Sequence, residues 1–361
     1  MDITCDQLTT FLFAKADMNK IPLAGSFELT SRCTLDCKMC YIHKRSCDKS
    51  AIAEEKDTKF WIDLATKARD SGMLMLLLTG GEPLLRRDFD EIYTECKKLG
   101  LLVSVNTNAT LLDEDKIRLF TEYPPQRISI TLYGASPETY GKLCGNASAY
   151  QKVTDSIRKL KDAGINIKLN YSITPDNVDD IPEATAFAKE LDVPVKAASY
   201  MFSPTRTCGE TFRLSPEDAA KAKLDWQRNM LGDEEIRRLL LKSDTLPESN
   251  DISCSQRINC RAGLSTFWVT WKGEMTPCGM MSGPNVPIQD FAEAWKKICE
   301  EREKIFLPKE CSTCPLRKKC DMCAAVSIAE TGKSDSVPPY ACKKAHEFEK
   351  ICAEFITKNS P

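Results

Sequence analysis

The 361-residue chain reads as an α/β protein, a partial (β/α)6 TIM-like barrel followed by a cysteine-rich C-terminal domain. Three observations predict this. Strand-like segments alternate with helical ones six times, as parallel βαβ units require. The apolar run Met73-Leu74-Met75-Leu76-Leu77-Leu78 has the character of a strand buried on both faces, and it ends in Thr79-Gly80-Gly81-Glu82-Pro83. Cysteines, finally, crowd a short triplet near the start of the barrel and a longer stretch beyond residue 254.

In chain order, residues 1–24 form an N-terminal segment, too short for a domain with its own core. The barrel is expected over 25–205, with strands at Ser26–Thr30, Leu74–Thr79, Leu101–Asn106, Arg127–Leu132, Asn166–Ile173 and Val195–Ser199. Helices are expected at Asp57–Ser71, Asp88–Leu99, Asp113–Tyr123, Ala149–Ala163 and Ile181–Leu191, several opened by Asp, Ser or Pro as capping requires. Residues 206–253 read as a bridge: Leu214-Ser215-Pro216-Glu217-Asp218 opens a helix, and Thr245–Asp251 is a polar loop. Residues 254–361 hold the second cysteine region.

Cys33, Cys37 and Cys40 are spaced C-x3-C-x2-C. Three thiolates on one loop can hold three irons of a 4Fe-4S cluster, and the missing fourth ligand leaves one iron open to a small molecule. A zinc knuckle is the competing reading, but structural zinc favours four protein ligands. Paired glycines at a strand's C-terminal end permit close backbone approach to a ligand, and Glu82 can accept from a cationic amino group. Read alone, Gly80-Gly81-Glu82-Pro83 is also ordinary turn chemistry. In such barrels, ligands sit at the C-terminal ends of the strands, where both motifs fall.

Composition narrows the class. Net charge is −2, from 50 basic and 52 acidic residues, so the chain offers no overall basic footprint for nucleic acid or an anionic membrane. Eighteen cysteines without a basic-then-apolar N-terminal signal, and no apolar run of membrane-spanning length, point to metal binding in a reducing, cytoplasmic setting. His43 and His346 stand in no nucleophile or metal motif.

The triplet and the Gly-Gly-Glu-Pro element together resemble the radical S-adenosylmethionine (radical SAM) superfamily. That resemblance implies the partial (β/α)6 barrel, SAM chelated by the open iron, and a 5′-deoxyadenosyl radical that abstracts hydrogen. It implies contacts to the SAM amino group from Gly80, Gly81, Glu82 and Pro83, and adenine contacts from Met39 and Tyr41. Asn106, Asn108 and the Ser129–Tyr133 segment would meet the ribose, and Asn170 with Tyr171 would face the same cavity. Lys142 stands where relatives often carry an arginine for the SAM carboxylate, and a lysine lacks arginine's bidentate fork.

The C-terminal cysteines resemble the SPASM region of these enzymes, with a two-residue gap before Cys323 where three is commoner. The resemblance implies two auxiliary 4Fe-4S clusters, three clusters in all. Cys254, Cys260, Cys278 and Cys323 would hold the nearer, and Cys311, Cys314, Cys320 and Cys342 the farther. A four-cysteine zinc ribbon of Cys311, Cys314, Cys320 and Cys323 is the competing reading. The remaining cysteines are expected to be small buried hydrophobes, with Cys144 and Cys208 near the active face.

SPASM enzymes mostly modify ribosomally made peptides or proteins. The expected activity is therefore hydrogen abstraction from a peptide, with a flavodoxin- or ferredoxin-type reductant and a separate leader-binding protein as candidate partners. Formylglycine formation is disfavoured, because Gly279 follows Cys278 where sulfatase maturases place an acidic base. A small-molecule radical SAM enzyme and a non-catalytic electron-transfer protein are the alternatives, the latter leaving the Gly-Gly-Glu-Pro element without a use.

Overall fold

The computed structural model describes residues 5–42, 44–204, 211–245, 257–258, 260–317 and 319–358. Cys208, Cys254 and His43 lie outside them. A first helix, α1 (Cys5–Asn19), leads into six parallel strands placed side by side in chain order: β1 (Ala24–Glu28), β2 (Met75–Thr79), β3 (Leu102–Thr107), β4 (Arg127–Thr131), β5 (Ile167–Ser172) and β6 (Val195–Ala198). All the expected strands are present, with ends moved by no more than two residues. Register runs evenly across the wall, Gly25 opposite Leu76, Leu76 opposite Val103, Val105 opposite Ile128 and Ile130 opposite Leu169.

Parallel neighbours need crossovers. These are α2 (Thr58–Asp70), α3 (Phe89–Lys98), α4 (Glu114–Glu122), the pair α5 (Pro137–Cys144) and α6 (Ala149–Asp162), and α7 (Ile181–Glu190). Asp57 and Asp113 cap α2 and α4 by accepting from Phe60 N and Lys116 N. Asp88, expected to cap α3, instead binds the Arg86 guanidinium at 2.6 and 2.8 Å and the Thr58 hydroxyl. Helix α5, absent from the expectation, is held by its Ser136 cap and ends at Gly145 with φ 71°.

Alternation along each strand divides the wall into two faces. Phe27, Leu76, Leu78, Val103, Val105, Ile128, Ile130 and Leu169 are buried beneath the helices with Trp61, Phe89, Tyr93 and Phe120. The alternate residues, among them Thr79, Asn106, Thr131, Asn170 and Ser172, face the barrel interior. Tyr171, expected beside Asn170 in the cavity, therefore points the other way: it stacks on Trp226 at 4.9 Å and donates to Asn177 O.

After the bridge helices α8 (Pro216–Leu231) and α9 (Asp233–Thr245), the chain returns to the same sheet. Strand β7 (Thr266–Val269) pairs parallel with β1, and β8 (Glu274–Thr276) and β9 (Val286–Pro287) continue antiparallel, making nine strands. Helix α10 (Phe291–Arg302) ties this end to the N-terminal segment, Trp295 Nε1 donating to Lys20 O at 2.7 Å. Helices α11 (Ala324–Thr331) and α12 (Pro339–Lys358) follow. Phe348, Cys352 and Phe355 of α12 pack on Ala220 and Leu224 of α8. No described helix is long and apolar enough to cross a membrane.

Candidate active site

The triplet loop leaves β1 and is fastened along its whole length. Gly81 N donates to Thr30 O and Glu82 N to Arg32 O, both at 2.8 Å, so the segment after β2 runs as a ladder against the start of the loop. That contact explains the paired glycines. A Cβ on Gly80, which sits at φ +151°, would lie 2.4 Å from Thr30 O, and one on Gly81 would lie 2.3 Å from Arg32 O. The close approach required here is to the cysteine loop's own backbone. Farther along, Asp36 N and Lys38 N donate to Cys144 O and Leu143 O at the end of α5.

Glu82 serves the scaffold. It is fully buried and lies outside the cavity wall, with Oε1 accepting from Thr107 Oγ1 and Leu84 N and Oε2 from Asn108 N, at 2.7 to 3.0 Å. Burial pushes its pKa from 4.5 up to about 7 against those hydrogen bonds. A carboxyl raised on folding is neutral at low pH in both states; as pH rises, the unfolded chain ionises first, so stability falls between pH 4.5 and 7 and is level above. In the metal-free protein this group is expected to remove roughly 3 kcal/mol across that window. Urea unfolding at pH 5 and pH 8 checks it, because Glu82→Gln should flatten the difference and an unchanged difference would refute the assignment.

Asn108 and Tyr133 bracket the thiols. Asn108 Nδ2 donates to Cys33 Sγ at 3.3 Å and to Thr34 Oγ1 at 3.0 Å, while its Oδ1 accepts from Thr110. The side chain expected at a ribose thus touches a cluster-ligand candidate as well as the cavity. Burial, with the Glu82 charge adding, pushes the Cys33 thiol up to about 12. The hydrogen-bonded Cys144 thiol and burial hold Cys37 well above the usual range, and a hydrogen bond with Tyr133 works the other way.

These groups surround a cavity of about 360 Å³ at the C-terminal ends of the strands. Of the expected contacts, Met39, Tyr41, Gly80, Gly81, Asn106, Asn108 and Asn170 line it together with all three triplet cysteines. Pro83 is buried in the turn after Glu82. Ser129 is one step too deep in the barrel, and Thr131 and Tyr133 on the same face of its strand line the wall instead. Lys142 is exposed on α5 and stands outside the wall. Sequence reasoning missed Ser172, Tyr200, Met201, Phe202 and Met280. Period-2 extension from Asn170 would have reached Ser172, whereas the others come from loops that only the tertiary fold brings in. Among the described lining residues there is no Asp, Glu, Lys, Arg or His.

The C-terminal cysteines fall into separate groups. Cys311, Cys314, Cys320 and Cys342 line one small cavity, and each of the other three thiols bears on Cys311 electrostatically. Cys323 interacts instead with Cys260, so the fourth cysteine facing the Cys311 group is Cys342 rather than the Cys323 of a zinc ribbon. Among the described residues, no three His, Cys, Asp or Glu side chains converge as ligands of a single metal ion. A 4Fe-4S cluster takes one thiolate per iron, so it needs its cysteines around one cavity rather than aimed at one point. The triplet and the Cys311 group have that disposition, and their cysteine sets suit iron-sulfur ligation; His346, which stands in no motif in the sequence, lines the second cavity beside its four cysteines.

The sequence profile of the Radical SAM superfamily matches residues 27–188. The AdoMet-dependent heme synthase of Methanosarcina barkeri is 27% identical over 344 residues, 90% of this chain and 97% of that protein. The PqqA peptide cyclase of Gluconobacter oxydans is 25% identical over 331 residues, 88% and 90% respectively. Among solved structures, native anSMEcpe with bound AdoMet superposes with a TM-score of 0.71 at 18% identity, covering 93% of this chain and 99% of that one. Streptococcus suis SuiB bound to S-adenosylmethionine gives 0.66 at 17% identity, covering 94% and 83%. The cysteine loop, the strand-end cavity and these likenesses agree: residues 27–188 match the radical SAM superfamily, whose members pair S-adenosylmethionine with a 4Fe-4S cluster.

Proposed function

We propose that this enzyme abstracts hydrogen from a ribosomally made peptide and modifies it by crosslinking, epimerisation or oxidation. Cys33, Cys37 and Cys40 hold the first cluster, which with SAM supplies a 5′-deoxyadenosyl radical when bound. The chain's own residues do the rest. The backbone at Gly80 and Gly81 receives the SAM amino group. Asn106, Thr131, Asn170 and Ser172 offer neutral hydrogen bonds to ribose and carboxylate, and Met39 and Tyr41 flank adenine. The Asn108 amide and the Tyr133 hydroxyl donate to the ligand sulfurs, a contact that tunes cluster potential. Residues 254–361 act as a SPASM region with two auxiliary clusters on the cysteine sets given above, joined to the 25–205 barrel by the 206–253 bridge. A flavodoxin- or ferredoxin-type donor supplies electrons in the cytoplasm, and a separate protein presents the substrate's leader.

One observation carries this reading: the cavity wall is neutral and largely apolar among its described residues. It suits an uncharged amino-acid side chain. The likeness to a heme synthase favours a second reading, a small-molecule substrate. A carboxylate-bearing substrate would have to share the neutral donors Asn106, Thr131, Asn170 and Ser172 with the SAM carboxylate. PqqA peptide cyclase, and the fold shared with SuiB bound to its precursor peptide SuiA, support the peptide reading.

Anaerobic reconstitution followed by incubation with SAM and dithionite tests it. About twelve irons per chain are expected from three clusters, together with 5′-deoxyadenosine and a mass change in short peptides encoded beside the gene. Turnover of an iron porphyrin precursor with every peptide unchanged would establish the second reading, and stoichiometric zinc without sulfide would remove the clusters.

A further inference from the structure

The two ends of the nine-stranded sheet are finished differently. Beyond β1 the sheet continues into β7, β8 and β9, while among the described residues β6 has no further strand on its outer side. Leu169 N and Ile173 N donate to Pro194 O and Ala198 O, so alternate residues of this segment turn their backbone groups toward β5. Val195, Ala197 and Ser199 turn theirs outward. No backbone hydrogen bond reaches those outward groups among the described residues.

That edge forms one side of a groove of about 570 Å³. Its opposite wall is Lys223, Trp226 and Gln227 of α8, with Asp321, Cys323 and Val326 from the C-terminal region. Ala198, Tyr200 and Phe202 line both the groove and the SAM cavity, so the two spaces adjoin at these residues. Charge in the groove is uneven. Asp321 is engaged by Lys344 at 2.7 Å and Lys223 at 3.7 Å, whereas Lys196 is exposed and has no ion pair among the described residues.

We propose that the groove binds one extended segment of the substrate peptide, which pairs with the outer edge of β6 at Ala197 and sets an acidic side chain against Lys196. The inference rests on the peptide reading above and adds how such a substrate is held. An open strand edge gives sequence-tolerant affinity through main-chain hydrogen bonds, and side-chain pockets give the selectivity. Lys196, exposed on this edge strand, is a charge that discourages indiscriminate edge pairing. Pairing here leads the adjoining part of the peptide past Tyr200 and Phe202 to the strand ends where the radical forms.

Hydrogen exchange on the reconstituted enzyme with SAM tests the pairing. The probes are an acetylated, amidated pentapeptide of alternating valine and glutamate, its counterpart N-methylated at the central residue, and a version with lysine for glutamate. The glutamate peptide should slow exchange of the outward Val195, Ala197 and Ser199 amides at least tenfold, the N-methylated peptide should not, and the lysine peptide should bind at least tenfold more weakly. Lys196→Glu should reverse that charge preference. Ala197→Pro removes an outward N–H but no ladder bond, so it should weaken binding at least tenfold while iron content and circular dichroism hold. Full protection of these amides without peptide, no protection by any probe at millimolar concentration, or equal protection by the N-methylated probe would overturn the proposal. A peptide that the enzyme modifies without protecting this edge overturns the groove and leaves the function standing. Protection with no peptide ever modified supports the groove and counts against the function.

Discussion

Replacing Cys33, Cys37 and Cys40 together by alanine should abolish 5′-deoxyadenosine formation while the absorbance of the C-terminal iron-sulfur sites remains. The three thiols line the strand-end cavity, and the Cys311 group lines a separate one. Loss of one set therefore leaves the other's donors in place. The variant should also fold. The loop's backbone is held by its bonds to the Gly80-Gly81-Glu82 segment and to the end of α5, none of which uses a thiol. Iron content near two-thirds of the parent, with no SAM cleavage above background, is the expected result. SAM cleavage at the parent rate would refute the assignment of the reactive cluster to this loop.

Gly81→Ala should be nearly as damaging through geometry alone. The added Cβ would stand 2.3 Å from Arg32 O, 2.6 Å from Arg32 C and 2.7 Å from Ser31 O, all backbone atoms that no rotamer change can move aside. Relief requires separating the two segments, which breaks the Gly81–Thr30 and Glu82–Arg32 hydrogen bonds and displaces the first cysteine. The expected loss is roughly 3 kcal/mol of stability, with SAM cleavage reduced at least a hundredfold. Gly141→Ala is the control. It lies within α5, where the new methyl meets Ala147 Cβ at an ordinary 3.5 Å, so a gain of up to about 1 kcal/mol is expected. Equal thermal midpoints for the two variants would show that the close approach at Gly81 is not what holds the loop.

Much of the site was legible because its signals are local. Three cysteines on one loop can act together whatever the rest of the chain does, and glycines after a buried strand announce a close approach without naming the partner. The strands were legible for the same reason: the apolar run of β2 and the apolar–polar alternation of β3, β4 and β5 are both local patterns. The partner of each polar side chain was not. Glu82 reads as a free acceptor in sequence, yet Thr107, Leu84 and Asn108 arrive from the turn and the neighbouring strand to occupy both its oxygens. Tyr171 and Asn170 are adjacent in sequence and opposite in space, because a strand turns successive side chains to opposite faces.

The sequence by itself determined the donors available: a triplet of thiols on one short loop, a barrel to carry it, and a second reserve of cysteines. Only the tertiary structure decided which groups meet. It put Asn108 on Cys33, Cys342 with the Cys311 group, Met280 in the cavity wall, and strands β7 to β9 on one edge of the sheet, with the other edge unpaired among the described residues. The physical reason is one of range. Strand and turn propensities act over a few residues, while hydrogen bonds and packing join residues that may lie far apart in sequence, and those contacts exist only once the sheet has closed around them.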